Sequence, residues 1–460
     1  MKLGLIAMSG IRAHDPELTR LGLTLPGFVE RNKKIASLPS LGLLTLAGMT
    51  PSSIDLEYVE VEDLDELDGL PGDYDAVAIS SFSAQMREAY ELANRFRSNG
   101  TVVLLGGLHV TAMPEEASTY ADAIVLGEAE PVWKHVVQDL LKGRLKQSYD
   151  ARQLPFNLDQ APMPAFELLE CDRYNRLTVQ TQRGCPFECE FCASSILLSP
   201  CFRMKPVRKV INEIRRIKSL WRRPFIEFAD DNTFVNKVHG KELLHALAGE
   251  NIRWFTETDI SLARDEELLG LLRDSGCAQV LIGLESPSID TLHGVELRND
   301  WKARQCDTYA SAIDRIQSYG ISVNGCFVLG LDGSDLQSFD DVLEFVKTSR
   351  LSEVQITVQT PFPGTPLYRR LEQEGRLIRP DAWELCTLFD VNFQPTHMTV
   401  EELKRGFHQL AEKLYSEEMT RQRKRHFHAQ LRKSRLANPN RRIRHERQTF
   451  QSLVRRSGHL

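Results

Sequence analysis

The chain has 460 residues, 42% of them hydrophobic and 26% charged, which is enough for two or three folded domains with sizeable cores. The formal net charge is −6, but the last 40 residues contain 13 Lys and Arg and only one acidic residue, so the tail carries +12 and the rest −18. No apolar run approaches the ~20 residues of a membrane span, and the apolar start is too short for a signal peptide.

Nine cysteines are present, an odd number, and their distribution is uneven. Three fall within eight residues, and the other six are scattered at positions 171, 201, 277, 306, 326 and 386. This pattern does not resemble a disulfide framework, and it predicts a reducing, cytoplasmic setting.

Residues 1–145 alternate short apolar runs with helical stretches. The predicted strands are Lys2–Met8, Ile54–Glu60, Ala76–Ser80, Val102–Leu105 and Ala123–Leu126, and the predicted helices are Leu41–Met49, Ala84–Asn99 and Pro131–Lys142. Such alternation predicts a doubly wound, Rossmann-like parallel sheet with helices on both faces. Ligands in these sheets bind outside the carboxyl ends of the strands.

Small residues lie at those strand ends. They are Ser80-Ser81, Gly106-Gly107 and Gly127-Glu128, and Leu41-Gly42 opens the helix after the first strand. Each pair has two interpretations, a ligand cradle or an ordinary turn. Their order along the chain favours the cradle.

Residues 146–175 contain three prolines without a clear period and are predicted to be a linker. Residues 176–390 then carry six strand–helix units, which predict a partial, open (β/α)6 version of the TIM barrel. The predicted strands are Leu177–Gln180, Phe225–Phe228, Trp254–Thr258, Gln279–Ile282, Val323–Val328 and Glu353–Thr357. The predicted helices are Pro206–Leu220, Val238–Ala248, Asp265–Ser275, Trp301–Tyr319, Ser338–Ser349 and Leu367–Glu374.

Three cysteines follow the first of these strands at positions i, i+4 and i+7: Cys185, Cys189 and Cys192. Thiolates hold iron–sulfur clusters, and a four-iron cube normally takes four ligands, so a three-cysteine loop leaves one iron for another molecule. A structural zinc site needs a fourth Cys or His, and none follows nearby. Three unrelated buried cysteines are the remaining interpretation, and the close spacing favours the cluster.

Polar residues follow several strands of the predicted barrel, at the end where active sites of parallel barrels lie. Asp231 comes after the second strand, and Glu285 and Ser286 come after the fourth. Carboxylates there could bind a cation or ribose hydroxyls. Each could equally be a helix N-cap, and Asp332 is open to the same alternative.

The cysteine loop, Arg183-Gly184-Cys185-Pro186-Phe187-Glu188-Cys189-Glu190-Phe191-Cys192, resembles that of the radical S-adenosylmethionine (SAM) enzymes. The resemblance implies a [4Fe-4S] cluster whose open iron chelates SAM, and reductive cleavage of SAM to a 5′-deoxyadenosyl radical. It implies that Phe191 lies near the adenine, that Asp231, Glu285 and Ser286 contact the ribose or methionine parts, and that Val328 and Gly330 lie along the adenine.

The N-terminal part resembles the cobalamin-binding domain found at the front of many radical SAM enzymes. The resemblance implies that the nucleotide tail of cobalamin is held by Leu41, Gly42, Ser80, Ser81, Gly106, Gly107, Gly127 and Glu128. Many such domains supply a cobalt ligand from an Asp-x-His-x-x-Gly loop, which is absent here, since the first loop reads His14-Asp15-Pro16. His109 matches a position beside the tail and is not assigned to cobalt.

Residues 391–460 are predicted to form a helical extension, with Thr399 as the N-cap of a helix over Val400–Arg421. The tail beyond it could contact RNA or an acidic membrane weakly. A solvated tail, or one lying on the acidic body of the same molecule, is the favoured alternative.

The layout is similar to that of the enzymes that methylate hopanoid lipids and natural products. It predicts cobalamin-dependent methyl transfer to an unactivated carbon of a small-molecule or lipid substrate, with a reductant such as flavodoxin or ferredoxin. One alternative is a radical cyclisation, rearrangement or aminocarboxypropyl transfer without methylation. Another is an RNA- or membrane-associated protein whose cluster is structural or redox-sensing.

Overall fold

The computed structural model describes residues 1–21, 38–170, 173–194 and 201–437. Two six-stranded parallel sheets follow one another along the chain, and helices pack on both. This architecture confirms the predicted fold class. Part of the linker, Cys171 among it, and the basic residues after Ala437 lie outside the described residues.

The first sheet has the spatial order β2-β1-β3-β4-β5-β6, with every pair parallel. Its strands are β1 (Lys2–Met8), β2 (Asp55–Val61), β3 (Ala76–Ser80), β4 (Val102–Gly106), β5 (Ala123–Leu126) and β6 (Ser148–Asp150). The first five were predicted. The sixth lies in the range predicted as a linker, which therefore supplies the edge of this sheet.

The sheet is buried on both faces, as a parallel sheet must be. In β1 the alternate side chains Leu3 and Leu5 belong to one apolar cluster, whereas Ile6 and Met8 belong to the cluster on the opposite face. Helix α1 (Pro16–Leu21) packs on the core of the second sheet through Leu18. The helices that cover the first sheet are α2 (Leu41–Met49), α3 (Met86–Ser98), α4 (Leu108–Ala112), α5 (Pro114–Ser118) and α6 (Glu130–Leu141). Because the order of connection reverses between β1 and β3, a crevice is expected at their carboxyl ends.

The second sheet has the order β14-β13-β12-β11-β10-β7 and forms the open barrel. Its strands are β7 (Leu177–Val179), β10 (Phe225–Phe228), β11 (Arg253–Thr258), β12 (Cys277–Glu285), β13 (Ser322–Leu329) and β14 (Glu353–Val358). A separate antiparallel pair, β8 (Gln182–Arg183) and β9 (Arg203–Met204), lies between β7 and β10 in the sequence and outside this sheet. The six barrel strands are those that the sequence predicts.

Helices cover the outside of the barrel. They are α7 (Val207–Leu220), α8 (Lys237–Leu247), α9 (Glu266–Ser275), α10 (Ile289–Leu292), α11 (Tyr309–Ser318), α12 (Gln337–Thr348), α13 (Pro366–Gln373), α14 (Val400–Tyr415) and α15 (Glu417–Ala437). The single helix predicted over Trp301–Tyr319 is wrong, since a 3-10 segment over Ala303–Thr308 precedes α11. Thr399 caps α14 as predicted, in a capping box with Glu402.

The predicted helix Val400–Arg421 is also wrong, because Ser416 has an extended ψ of 149° and separates α14 from α15. Helix α15 packs on the barrel rather than leaving it. Arg423 is buried and donates to the Leu414 carbonyl at 2.6 Å, and Gln430 donates to Asp314 at 2.8 Å. The described part of the tail therefore lies on the body of its own molecule. Among the described residues, no helix combines the length and apolar composition needed to cross a bilayer.

Candidate active site at the carboxyl end of the barrel

The three cysteines lie in a loop that begins and ends at the β8–β9 pair. Arg183 and Arg203 are directly opposite each other in this pair. Asp230, which follows β10, fixes the entry by accepting from the backbone N–H of Thr181 at 2.7 Å and of Gln182 at 3.1 Å. Gly184 then turns the chain with φ of 82°.

A second segment holds the middle of the loop in place. The Glu190 N–H donates to the Val295 carbonyl and the Leu297 N–H donates to the Glu188 carbonyl, both at 2.9 Å, so the two segments pair antiparallel at Cys189. The buried Glu296 carboxylate accepts backbone N–H groups at 2.8–3.3 Å, donated by Glu188, Arg298, Asn299 and Trp301. The loop is thus attached to the segment after β12.

Helix α13 provides a third attachment. Arg370 forms a two-pronged ion pair with Glu190 at 2.5 and 2.9 Å, and the Leu367 N–H donates to the Glu190 carbonyl. Arg370 also contacts Asp332 at 2.6 Å, and Arg376 contacts the same carboxylate at 2.7 Å. Asp332 therefore holds arginines and is not the cap of α12, whose N-cap is Leu336.

The loop closes one side of a cavity of about 330 Å³ at the carboxyl ends of the barrel strands. Seven of the nine residues predicted for the cluster and SAM line this cavity: Cys185, Cys189, Cys192, Phe191, Asp231, Glu285 and Val328. The cavity lining comes from the ends of five barrel strands, β10 to β14, and from the loop, as expected for the active site of a parallel barrel.

The cysteines suit a cluster better than a single ion. Among the described residues, no three His, Cys, Asp or Glu side chains converge on a point where one metal ion would sit. Each thiolate of an iron–sulfur cube binds a separate iron, so cluster ligands need not converge. Burial raises the pKa of the Cys185 thiol to about 11 and that of Cys189 to about 12. Both therefore lose a proton when they bind iron.

Two of the predicted SAM residues lie outside the cavity wall. Ser286 is buried and its hydroxyl accepts from the Ser288 N–H at 3.1 Å, so it organises the turn after β12. Gly330 has φ of 83°, and a Cβ there would lie 2.9 Å from both Leu403 and Phe393. Gly330 is thus needed for packing against α14, a reason different from the predicted approach of adenine.

Two charged groups of the cavity were not among the residues predicted to bind SAM: Lys302, which the sequence did not indicate, and Glu257, which was predicted only as a polar residue at the end of its strand. Lys302 donates to Glu285 at 2.6 Å and to the Gly283 carbonyl at 3.0 Å. Burial opposes its charge, but the Glu285 and Cys189 groups raise the pKa of Lys302 overall. Its position within a wrongly predicted helix concealed it.

Glu257 is the next-to-last residue of β11, and its solvent-accessible side chain lines the cavity. Burial raises the pKa of Glu257 to about 8, and the carboxylates of Glu227, Asp231, Asp230 and Glu285 add to the rise. Asp231 accepts from the Ser194 hydroxyl at 2.5 Å, and the N-cap of the following helix is Asn236. The cavity is therefore acidic apart from Lys302, which suits a ligand that carries positive charge.

The small residues predicted for cobalamin gather at one edge of the first sheet. Ser80 pairs with Gly106, and a Cβ on Gly107 would lie 3.4 Å from the Ser80 hydroxyl and 3.8 Å from the Ser81 carbonyl. Gly42 is exposed at the start of α2, and among the described residues the nearest atom to a Cβ added there would be the Ser40 hydroxyl, at 3.9 Å. Leu41 packs partly on the barrel core. A flat or extended ligand can approach the backbone at such an edge.

Thr111 ties two of these turns together, since its hydroxyl donates to the Gly107 carbonyl at 2.8 Å and accepts from the Gly127 N–H at 2.9 Å. His109 is fully buried, with its ring nitrogens 3.1 Å from Ser83 and 3.4 Å from Glu116. It is a packed residue, in line with its exclusion as a cobalt ligand. The Glu128 carboxylate is held by Arg203 and Arg183.

Comparison with known proteins agrees with this geometry. Residues 179–346 match the family model of the radical SAM superfamily, residues 37–137 match that of the B12 binding domain, and residues 365–460 match a domain of unknown function, DUF4070. Bacteriochlorophyllide d C-8(2)-methyltransferase of Chlorobaculum tepidum is 30% identical over 77% of this chain and 80% of its own length. Hopanoid C-2 methylase of Rhodopseudomonas palustris is 26% identical over 76% of this chain and 67% of its own length.

A solved structure has the same architecture. The radical SAM methyltransferase TsrM from Kitasatospora setae, with cobalamin and a [4Fe-4S] cluster bound, matches with a TM-score of 0.64 and 13% identity over 90% of this chain and 88% of that one. The chain belongs to the radical SAM superfamily, in the group of methyltransferases that carry an N-terminal cobalamin-binding domain. It is accordingly an enzyme whose cofactors are an iron–sulfur cluster, SAM and cobalamin.

Proposed function

We propose that this enzyme cleaves SAM reductively to a 5′-deoxyadenosyl radical and transfers a methyl group to an unactivated carbon of a small-molecule or lipid substrate. The observation that carries the proposal is the shared cavity of Cys185, Cys189, Cys192, Phe191 and Asp231. Three thiols of one loop thus face the strand ends at which barrel enzymes bind their substrates.

Cys185, Cys189 and Cys192 hold the cluster, which leaves one iron for SAM. When bound, the reduced cluster supplies one electron to the sulfonium of SAM, and cobalamin carries the methyl group. Phe191 and Val328 present apolar surface to the adenine, while Asp231 and Glu285 accept hydrogen bonds from the ribose or the ammonium group. A small electron carrier such as flavodoxin or ferredoxin reduces the cluster.

Lys302 and Glu257 extend this set. Lys302 is the cation that orients Glu285, and its third N–H would be a donor for the carboxylate of SAM. Glu257 adds a carboxyl group opposite, on β11. The carboxylates of Asp231 and Glu285 would balance the positive sulfonium and ammonium groups of SAM, and the lysine would balance its carboxylate.

Cobalamin is held at the edge formed by Leu41, Gly42, Ser80, Ser81, Gly106, Gly107 and Gly127. Glu128 supports that edge through its ion pairs, and its carboxylate also accepts from the Phe156 N–H at 2.8 Å. Because His109 is engaged with Ser83 and Glu116, it is not a cobalt ligand. The described part of the first loop also lacks the Asp-x-His-x-x-Gly pattern.

The substrate class rests on relatives. Their names specify a bacteriochlorophyllide and hopanoids, which are largely apolar molecules with unactivated carbon positions. The same kind of acceptor is expected here, a mostly apolar small molecule or lipid.

The test is anaerobic reconstitution with iron, sulfide, hydroxocobalamin and a reductant, followed by SAM that carries a deuterated methyl group. Incubation with apolar extracts should yield 5′-deoxyadenosine together with a product that is heavier by one labelled methyl group. Cys192→Ala should abolish both, whereas Cys201→Ala, an exposed cysteine that does not line the cavity, should preserve them. Formation of 5′-deoxyadenosine with rearranged but unlabelled product would contradict methyl transfer.

A further inference from the structure

Four charged residues join the cobalamin-binding domain to the cysteine loop. Glu128 and Glu130 come from the turn between β5 and α6, and Arg183 and Arg203 come from the β8–β9 pair. Arg183 donates to Glu130 at 2.7 Å and lies 3.5 Å from Glu128. Arg203 donates to Glu128 through both of its terminal nitrogens, one at 2.9 Å.

The network is largely shielded from water. The side-chain exposures are 15% for Arg183, 18% for Arg203, 6% for Glu128 and 9% for Glu130. Two arginines directly opposite each other in a strand pair would repel, so this pair depends on the glutamates of the other domain. Burial disfavours the charged form of Glu128, but Arg203 and Arg183 lower its pKa overall.

One end of the network adjoins the cysteine loop, and the other adjoins the predicted cobalamin-binding edge of the first sheet. Arg183 stands two residues before Cys185, and the β8–β9 pair forms the base of the whole cysteine loop. Glu128 directly follows Gly127, one of the small residues at the edge of the first sheet. Arg203 also donates to the Phe156 carbonyl at 2.8 Å, which ties the segment between the two domains into the same cluster.

We propose that Arg183 and Arg203 are positioning residues that lock the cluster loop onto the Gly127–Glu130 turn and thereby fix the distance between the iron–sulfur cluster and the cobalt. The inference rests on the proposed function, in which both cofactors serve one substrate. Reaction geometry is sensitive to displacements of about 1 Å, so a loop on one domain and a cofactor on another need a rigid attachment. Paired, planar guanidinium groups provide that rigidity better than single point charges.

The test measures the distance directly. The enzyme is reconstituted with a cluster and cobalamin, the cobalt is brought to Co(II), the cluster is reduced, and pulsed dipolar EPR records the spin–spin distance. The wild-type protein should give one narrow distribution. Glu128→Gln combined with Glu130→Gln keeps the side-chain shapes but leaves the arginines without counter-charge, and should broaden the distribution about two-fold with full iron and cobalamin content.

Matched variants separate positioning from simple stabilisation. Arg183→Lys keeps the charge but loses the planar fork, so it should give an intermediate width. Arg298→Gln removes an exposed arginine that contacts Glu188 in the same loop, and should leave the width unchanged. Loss of melting temperature in the double variant, with a wild-type distance distribution, would overturn the inference.

The outcome is distinct from failure of the proposed function. If wild-type protein does not take up cobalamin or an iron–sulfur cluster, the proposed function itself is wrong. If the wild-type protein holds both cofactors, and the distance distributions of the double variant and of the Arg298→Gln control have equal widths, only the positioning role is wrong. Should Arg183→Lys fail to accumulate, the isosteric Glu128→Gln/Glu130→Gln variant still decides the question.

Discussion

Glu285 and Lys302 form an ion pair inside the cavity, with 2.6 Å between carboxylate and ammonium. Glu285 adopts a left-handed backbone (φ 62°) where the register of β12 shifts against β13, so its carboxylate turns back over Gly283. A non-glycine residue held in this region indicates that the surrounding structure enforces the conformation. The lysine is the group that holds the carboxylate in place.

We therefore expect Lys302→Met to weaken SAM binding by about ten-fold or more, since an unpaired buried carboxylate loses its orientation. Glu285→Gln should have a similar effect. Equilibrium binding of labelled SAM to the reconstituted enzyme measures both. Lys241→Met, which removes a surface ion pair with Asp265 and Glu267, serves as the control. Wild-type affinity in both cavity variants would contradict the assignment.

The Glu296 carboxylate holds the segment that pairs with the cysteine loop. Glu296→Ala would remove the acceptor that these part-buried backbone donors share, so we expect it to cost about 1–3 kcal/mol in the free energy of unfolding and to release iron faster in air. Urea unfolding and iron release are the measurements. Glu188→Ala, which removes an exposed ion pair with Arg298, should cost less than about 1 kcal/mol. Equal costs for the two variants would show that the backbone clamp is unimportant.

A glycine is needed at position 330 for two reasons, the close packing around it and its left-handed backbone conformation. Gly330→Ala would place a Cβ 2.9 Å from Leu403 and Phe393 in a left-handed conformation, and should destabilise the protein by about 2–4 kcal/mol. Gly69→Ala, at a similar φ of 94° with open space around it, should cost only about 1 kcal/mol. Thermal unfolding of both variants compares the two effects. The packing explanation is wrong if the two substitutions shift the melting temperature equally.

Glu257 should make the cluster-free protein less stable as the pH rises. An unfolded glutamate has a pKa of about 4.3, whereas the pKa of folded Glu257 is about 8. Between these values the folded protein keeps a proton that the unfolded chain has lost, so stability falls through this window and levels off above about pH 8.

Glu257→Gln should remove this part of the decline. Because the carboxylate faces an open cavity, we expect a difference of about 1 kcal/mol between the two proteins at about pH 8, after allowance for solvent screening. Urea unfolding across the pH range measures it. Parallel stability profiles for the wild type and the variant would show that Glu257 titrates normally.

Most of the fold follows from apolar runs in the sequence. Most of the strands that were predicted are buried runs, which are easy to recognise because both faces of a parallel sheet are covered. The exception is β2, an edge strand that is half-buried up to its last residue, Val61. Strand β6 was missed because Ser148-Tyr149-Asp150 is a short edge strand with a single buried residue. The break at Ser416 was missed since the helical pattern on either side continues in sequence.

The site was predictable where chemistry is encoded by spacing, and less so where it depends on tertiary contacts. The three cysteines, Phe191, Asp231, Glu285 and Val328 line one cavity, and their roles toward the cluster and SAM stay predictions. Lys302 reaches the cavity from a loop 17 residues beyond its partner Glu285, and no local pattern indicates that contact. The role of Gly330 likewise depends on α14, which lies about 70 residues further along the chain.

The most direct test of the central claim is the metal content and EPR spectrum of anaerobically prepared protein, recorded before and after SAM is added. We predict about four iron and four sulfide per chain, and a reduced-cluster signal that changes when SAM binds to the open iron. The same preparation of Cys185→Ala, Cys189→Ala or Cys192→Ala should lack that signal. Zinc in place of iron, or a spectrum that SAM does not alter, would contradict the account.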